Sequence, residues 1–193
     1  MPTARAKDLA MVAIGLLVIV VDQLTKHWVQ AYFAAHPGTV ISVVGDILTF
    51  DYTQNTGVAF SLLSGQAIMF LLIALAICVI AVLYWRTRET GTLLLKVSFG
   101  LVLGGAIGNL IDRVAHQYVV DFIHFQIPAI HFDFAVFNVA DSAISVGVVL
   151  LAALLWLGGA EARGGDTNMP SAPATDDASG EARAVSAKNA GDR

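Results

Sequence analysis

LAMVAIGLLVIVVDQL, residues 9–24, is an apolar run that carries no charge before Asp22. Three further apolar runs follow it, at residues 67–85, 93–111 and 137–157. A helix needs about 20 apolar residues to cross a hydrocarbon core of roughly 30 Å, and each run comes close to that length. The sequence therefore predicts an all-α polytopic membrane protein with four transmembrane helices.

The composition argues against a water-soluble protein. Of the 193 residues, 56% are hydrophobic and 13% are charged, whereas soluble domains carry about 25% charged residues. The formal net charge of −4 does not indicate a nucleic-acid partner, and the single cysteine, Cys78, allows neither an internal disulfide nor a cysteine metal cluster. We expect one membrane domain over residues 1–158 and a disordered cytoplasmic tail over residues 159–193, which contain no aromatic residue.

Basic residues predict the direction of the helices. Arg5 and Lys7 precede the first run, and Arg86, Arg88 and Lys96 lie in or beside the connection between the second and third runs. Because Lys and Arg accumulate in cytoplasmic loops, both termini are expected in the cytoplasm. The two longer loops then face outward.

The outer loops carry strand signals. ISVVGDILTFDYTQNTGVAF, residues 41–60, mixes β-branched and aromatic residues with turn signals, and YVVDFIHF, residues 118–125, is a shorter strand-like run. These segments predict a small β-rich outer cap. Within the third run, glycines recur at a spacing of four in GLVLGGAIGN, residues 100–109, which favours close packing against a neighbouring helix.

Polar side chains gather where the predicted spans meet the outer surface. A charge at the centre of a membrane helix costs about 2.5–3.5 kcal/mol and less near its ends, so each one needs a reason. These side chains come from distant parts of the sequence, yet the topology puts them at one membrane depth. The residues are Asp22, Asn109, Arg113, Asp121, Asn138 and Asp141.

Two of these residues suggest a hydrolytic mechanism. If Asp121 and Asp141 lie close together they share one proton, with one carboxylate as general base and the other as general acid. Such a pair activates water for attack on an amide, and the side chains of Asn109 and Asn138 supply donors for the tetrahedral intermediate. The chemistry needs no metal or other cofactor.

Structural explanations compete for several residues. Asp112 and Arg113 are also typical of interfacial charges that cap a helix. Asp22 is spaced to cap a helix end or to pair with Lys26 one turn later. Asn55-Thr-Gly57 is typical of a turn, since Asn and Gly tolerate left-handed backbone.

Other functional classes fit the sequence less well. Ser142 and Ser145 have no lysine nearby in the fourth run, and no G-x-S-x-G motif or H-E-x-x-H pair is present. An ion-coupled or proton-coupled transporter remains an alternative, because intramembrane acids also mark ion paths. So does a non-catalytic membrane scaffold.

Five short blocks carry a family resemblance: DQLTK at residues 22–26, NTGVAF at 55–60, GGAIGNLIDR at 104–113, VVDF at 119–122 and FNVADS at 137–142. Together they resemble bacterial lipoprotein signal peptidase, also called signal peptidase II. The similarity covers roughly residues 9–158 and leaves out the tail.

The resemblance implies a multi-pass aspartyl peptidase of the bacterial inner membrane. Its substrates would be prolipoproteins, cut before a diacylglyceryl-modified cysteine near the outer face, and its partners would include membrane lipids. The resemblance makes Asp121 and Asp141 catalytic and implies no metal; we expect a monomer. Further motif positions would bind substrate or support the site: Asp22, Lys26, Asn55, Gly57, Gly108, Asn109, Arg113, Asn138 and Ala140.

Overall fold

Three long helices frame the part of the chain that the computed structural model describes, which is residues 3–57, 79–80, 82–87 and 91–164. Helix α1 spans Ala4–Ala35, α2 spans Leu93–His116 and α3 spans Val139–Gly164. By length and composition α1 and α2 suffice to cross a membrane, and α3 contains a shorter apolar stretch, Val139–Leu154. Of the predicted second span, residues 79–80 and 82–85 are helical. The rest of that span, Cys78 included, lies outside the described residues, as do tail residues 165–193.

The helix ends differ from the predicted span ends. Helix α1 begins at Ala4 and ends at Ala35, so Asp22 lies inside the helix and does not end it. The chain from Gln23 to Ala35 contains no Gly or Pro, so nothing stops the helix there. Helix α3 begins one residue after Asn138 and continues through Gly164. The first residues of the predicted tail are therefore helical, because Ala, Glu and Arg are strong helix formers.

Close packing of α1 on α2 depends on glycine. A Cβ atom on Gly104 would lie 2.7 Å from the carbonyl oxygen of Gly15, and one on Gly100 would meet the backbone of Met11. The two helix backbones therefore approach as the glycine spacing predicted. This approach brings the side chains of Asp22 and Lys26 on α1 against the face of α2 that carries Asn109.

A four-stranded antiparallel sheet forms the cap, in agreement with the strand signals. Its strands, in spatial order, are β1 Ile41–Val44, β2 Leu48–Asn55, β3 Val119–Ile127 and β4 Phe132–Asp133. A 3₁₀ turn, Pro128–Ile130, connects the last two strands. The register between β2 and β3 shifts between Phe50 and Thr53, and Thr53 then pairs with Asp121.

Strand β3 is anchored on the end of α1. Val120 and Phe122 are buried against Val29 and Phe33 of α1. Successive side chains of a strand point to opposite faces, so the carboxylate of Asp121 is directed away from this apolar cluster. The apolar contact thereby aims the aspartate toward the polar residues of α2 and α3. All of these residues belong to one compact unit, Met1–Leu157.

Candidate active site

Asp121 is almost completely buried, with 2% of its surface exposed. Its two carboxylate oxygens accept hydrogen bonds from different parts of the chain: Oδ1 from Nδ2 of Asn138 at 2.7 Å and Oδ2 from Nδ2 of Asn55 at 2.9 Å. Asn55 ends β2 and Asn138 precedes α3. The sheet and the third helix thus hold the aspartate between two side-chain amides.

Asp141 lies in the first turn of α3 and shares Asn138 with Asp121. The Asn138 side chain accepts the backbone N–H of Asp141 at 2.9 Å, and the Asp141 carboxylate accepts the backbone N–H of Asn138 at 3.3 Å. This reciprocal pair has the geometry of a capping box. Asn138 is therefore the residue that starts the helix, whereas the sequence spacing predicted that it shares a helix face with Asp141.

Asn109 completes the connection between the two aspartates. Its Nδ2 donates to Asp141 Oδ1 at 2.7 Å, and its Oδ1 accepts from Asn138 Nδ2 at 3.1 Å. The two asparagines and two aspartates form one hydrogen-bonded group drawn from α2, α3 and β3. The structure brings together the four residues that the sequence assigned to hydrolysis.

The buried position of Asp121 alters its acidity. Burial raises the pKa of Asp121 to about 6; the hydrogen bond from Asn55 opposes the rise, and the nearby charge of Asp141 adds to it. A carboxyl group with such a pKa exchanges its proton near neutral pH. This behaviour suits a general acid or base.

Asp22 and Lys26, both on α1, contact this group of asparagines and aspartates and the first turn of α3. Lys26 Nζ lies 2.8 Å from Asp22 Oδ2, the predicted pairing across one turn, and 3.0 Å from Asn109 Oδ1. The other oxygen of Asp22 accepts the backbone N–H of Ala140 at 2.9 Å. Asp22 therefore satisfies an unpaired donor in the first turn of α3, so it caps a helix other than its own.

Gly108 and Ala140 are small residues that leave room for the Asp22 carboxylate. A Cβ atom on Gly108 would lie 2.7 Å from Asp22 Oδ2, and Ala140 is fully buried beside it. Only a residue without a side chain allows Asp22 to reach Lys26 and α3 together.

Asn55 and Gly57 form the turn that the sequence predicted, and Asn55 also contacts Asp121. Gly57 has a left-handed φ of 73°, and its N–H donates to Asn55 Oδ1 at 3.0 Å, so the segment is a turn. The same asparagine donates to Asp121. The turn fixes which end of the Asn55 amide faces the aspartate.

Arg113 is buried at the end of α2. Its guanidinium donates to the backbone carbonyl of Asn109 at 3.2 Å, and its charge interacts with Asp141, Asp121 and Asp112. It therefore adds positive potential beside the two aspartates.

Asp112 and Gln23 were not assigned to the site from the sequence. Asp112 is 3% exposed, accepts from Gln23 Nε2 at 2.9 Å and lies 3.0 Å from Lys26 Nζ. An interfacial helix cap would face water, so that explanation does not hold. The available signal was that Lys26 follows Asp22 by one turn on α1 while a second acid follows Asn109 on α2. In the part of the chain that the structure describes, no group of three or more His, Cys, Asp or Glu side chains is placed to hold a metal ion.

Comparisons with known proteins agree on one family. The family model for signal peptidase (SPase) II matches residues 14–157. The lipoprotein signal peptidases of Bacillus velezensis and Bacillus subtilis are each 44% identical to this chain, over 72% of it and over 88% and 87% of their own lengths. That of Lactobacillus gasseri is 40% identical over 76% of this chain and 92% of its own.

Two solved structures have a similar fold. Both are described as bacterial membrane enzymes, and each superimposes with a TM-score of 0.59. One is 31% identical and covers 75% of this chain and 91% of its own; the other is 28% identical and covers 84% and 93%.

Proposed function

The chain belongs to the signal peptidase II family, and on that premise we propose that it removes the signal peptide of prolipoproteins with Asp121 and Asp141 as its catalytic pair. The single observation that carries the assignment is that both carboxylates are bound to one asparagine, Asn138, inside a buried polar group. The cut would fall before a diacylglyceryl-modified cysteine.

The environments of the two aspartates suggest different roles. Asp141 lies at the positive end of the α3 dipole, which stabilises negative charge there. We assign it as the general base. Asp121 lies within strand β3 and not in a helix, and its raised pKa of about 6 lets it hold a proton. We assign it as the general acid.

The reaction then balances without a covalent intermediate. Asp141 takes a proton from water, the hydroxide attacks the scissile carbonyl carbon, and Asp121 gives its proton to the carbonyl oxygen. In the second step protonated Asp141 protonates the leaving nitrogen, Asp121 recovers a proton from the tetrahedral hydroxyl, and the C–N bond breaks. The products are the C-terminal carboxylic acid of the signal peptide, which then ionises in water, and the free amine of the lipidated cysteine. Arg113 adds stabilising charge.

The membrane arrangement follows from this function. We propose four spans in the bacterial inner membrane, with both termini in the cytoplasm and the aspartates near the outer face. The α1 and α2 lengths support two of these spans, and Asp22 and Lys26, which contact the polar group, lie in the half of α1 away from its basic N-terminus. A site within the membrane plane suits a lipidated cysteine joined to an apolar signal helix. We propose a monomer surrounded by membrane lipids.

A transporter fits the described residues less well. Ion passage needs a polar path through the bilayer. Between Lys96 and Asn109 the α2 sequence is apolar or glycine except for Ser98, whose hydroxyl bonds to the Leu94 carbonyl of its own helix. Along α2, the described residues therefore provide no continuous polar path from Lys96 to the polar group.

The test is cleavage of a diacylglyceryl-modified prolipoprotein by purified protein, followed by mass spectrometry of both products. Asp121→Asn and Asp141→Asn should each lose at least about 10²-fold in kcat, the lower range for general acid–base catalysis. Asp133→Asn is the matched control, because Asp133 lies on β4 of the same sheet with a side chain 70% exposed. Full activity in both site variants would refute the catalytic pair. Cleavage anywhere but before the lipidated cysteine would refute the substrate assignment.

A further inference from the structure

Asp112 uses both of its oxygens to connect three elements. Oδ1 accepts from Gln23 on α1, while Oδ2 accepts the backbone N–H of Val120 on β3 at 3.0 Å and lies 3.0 Å from Lys26. The carboxylate is buried on α2. A buried carboxylate with every oxygen paired is held in one position, because any movement would leave a buried donor unsatisfied.

The first connection leads to Asp121. Val120 immediately precedes Asp121; its N–H is bound by Asp112, and its carbonyl accepts from Asn138 Nδ2 at 3.3 Å. The backbone that carries the proposed general acid is therefore fixed on both sides of Val120. One of these two contacts comes from Asp112.

The second connection leads to Asp141. Asp112 and Asp22 hold Lys26 between them, and Lys26 donates to Asn109 Oδ1. With its oxygen facing the ammonium group, the Asn109 amide must turn its Nδ2 toward Asp141, to which it donates at 2.7 Å. Asp112 is thus connected to the proposed base through Lys26 and Asn109.

From these two connections we infer that Asp112 is a positioning residue of the peptidase, which sets the placement of Asp121 and Asp141 relative to each other without touching the substrate. The inference rests on the proposed catalytic pair. Gln23 assists it, since its Nε2 donates to Asp112 and, at 3.2 Å, to the Gly108 carbonyl.

The experiment compares kcat and KM for Asp112→Asn with those of the wild type, together with binding of an uncleavable N-methyl-amide analogue of the lipidated peptide. We expect kcat to fall by about 10- to 100-fold, because a misplacement of about 1 Å costs on the order of 10²-fold. KM and analogue binding should be unchanged. Asp8→Asn is the matched control: Asp8 also pairs with a buried lysine, Lys96, at the other end of α1, and its loss should leave kcat intact.

Each alternative result is decisive. Unchanged kcat in Asp112→Asn would overturn the inference, and a raised KM with normal kcat would make Asp112 a binding residue. If Asp112→Asn does not fold, Gln23→Leu replaces it, since that change removes the hydrogen bonds of the Gln23 amide, the one to Asp112 among them, and keeps the charge of Asp112. There, a lowered kcat supports the inference and an unchanged kcat overturns it. Activity in Asp121→Asn and Asp141→Asn would instead refute the catalytic pair itself, so the two failures are distinguishable.

Discussion

Two buried lysines lie at opposite ends of the α1–α2 helix pair, and their surroundings differ. Lys26 is 2% exposed and is bound by two carboxylates and an amide oxygen. Lys96 is fully buried and, among the described residues, it contacts the carboxylate of Asp8 at 2.9 Å and the ring of Tyr84 at 4.0 Å. Both lysines are paired, as burial demands.

The difference lies in what the partners touch next. Around Lys26 every partner continues to another element, and the contacts end at Asp121 and Asp141. Around Lys96 the acid is partly exposed to solvent, and the aromatic ring packs on Phe99 within the apolar cluster. A buried charge is therefore a weak indicator of a functional site, whereas a buried charge shared among several acids and amides is a strong one.

Exchanging the two lysines for methionine should give the largest contrast. Lys26→Met leaves Asp22 and Asp112 buried without a cation, which should cost about 3–5 kcal/mol of stability and abolish cleavage. Lys96→Met leaves an acid that water reaches, so the loss should stay below about 1 kcal/mol, with activity retained. Thermal unfolding in detergent and cleavage of the lipidated substrate measure the two effects. Equal losses of stability and activity in both variants would show that the surroundings of the two lysines do not differ in function.

Substitution of two glycines on α2 should distinguish a residue that only packs the helices from one that also supports catalysis. Gly104→Ala places a methyl group against the Gly15 backbone, and Gly108→Ala places one against the Asp22 carboxylate. Each should destabilise the protein by about 1–3 kcal/mol. Only Gly108→Ala should also lower kcat out of proportion to its unfolding temperature, because it displaces Asp22 from Lys26 and Ala140. A proportionate loss in both would make Gly108 a packing residue alone.

The pH dependence of kcat/KM tests the site that contains Asp121 and Asp141 separately. Because the pKa of Asp121 is raised to about 6, the proposed acid is protonated below that pH and ionised above it. kcat/KM should therefore fall as the pH rises through about 6. Removal of the Asn55 hydrogen bond, which opposes the rise, should move this limb to higher pH in Asn55→Leu. A limb in the opposite direction would exchange the roles of the two aspartates.

The smallest effect on cleavage and stability is expected from deletion of the C-terminal tail. Deletion of residues 165–193 removes a polar stretch without aromatic residues, and the family match ends at residue 157. Cleavage rate and unfolding temperature should remain those of the full chain. A clear loss of activity would assign the tail a role that its composition does not suggest.

Much of this architecture was predictable because membrane proteins obey simple constraints. Apolar length identified α1, α2 and α3. The predicted topology put Asp22, Asn109, Asn138 and both aspartates at one membrane depth, and in the structure their side chains lie in one connected polar region. Hydropathy could not give the helix ends, since it reports the hydrocarbon crossing and not the turns beyond it. The role of Asp112 was also hidden, because its contact with the Val120 N–H joins residues on a helix and a strand whose packing no local pattern encodes.

The reciprocal hydrogen bonds between Asn138 and Asp141 have a consequence for how the protein could be monitored. The backbone N–H of Asp141 donates to the Asn138 side chain, and the Nδ2 of the same side chain donates to Asp121. Fraying of the first turn of α3 would release that proton and separate the aspartates in a single event. Its hydrogen–deuterium exchange rate therefore serves as a reporter of how often the proposed catalytic arrangement comes apart, and it can be read without substrate.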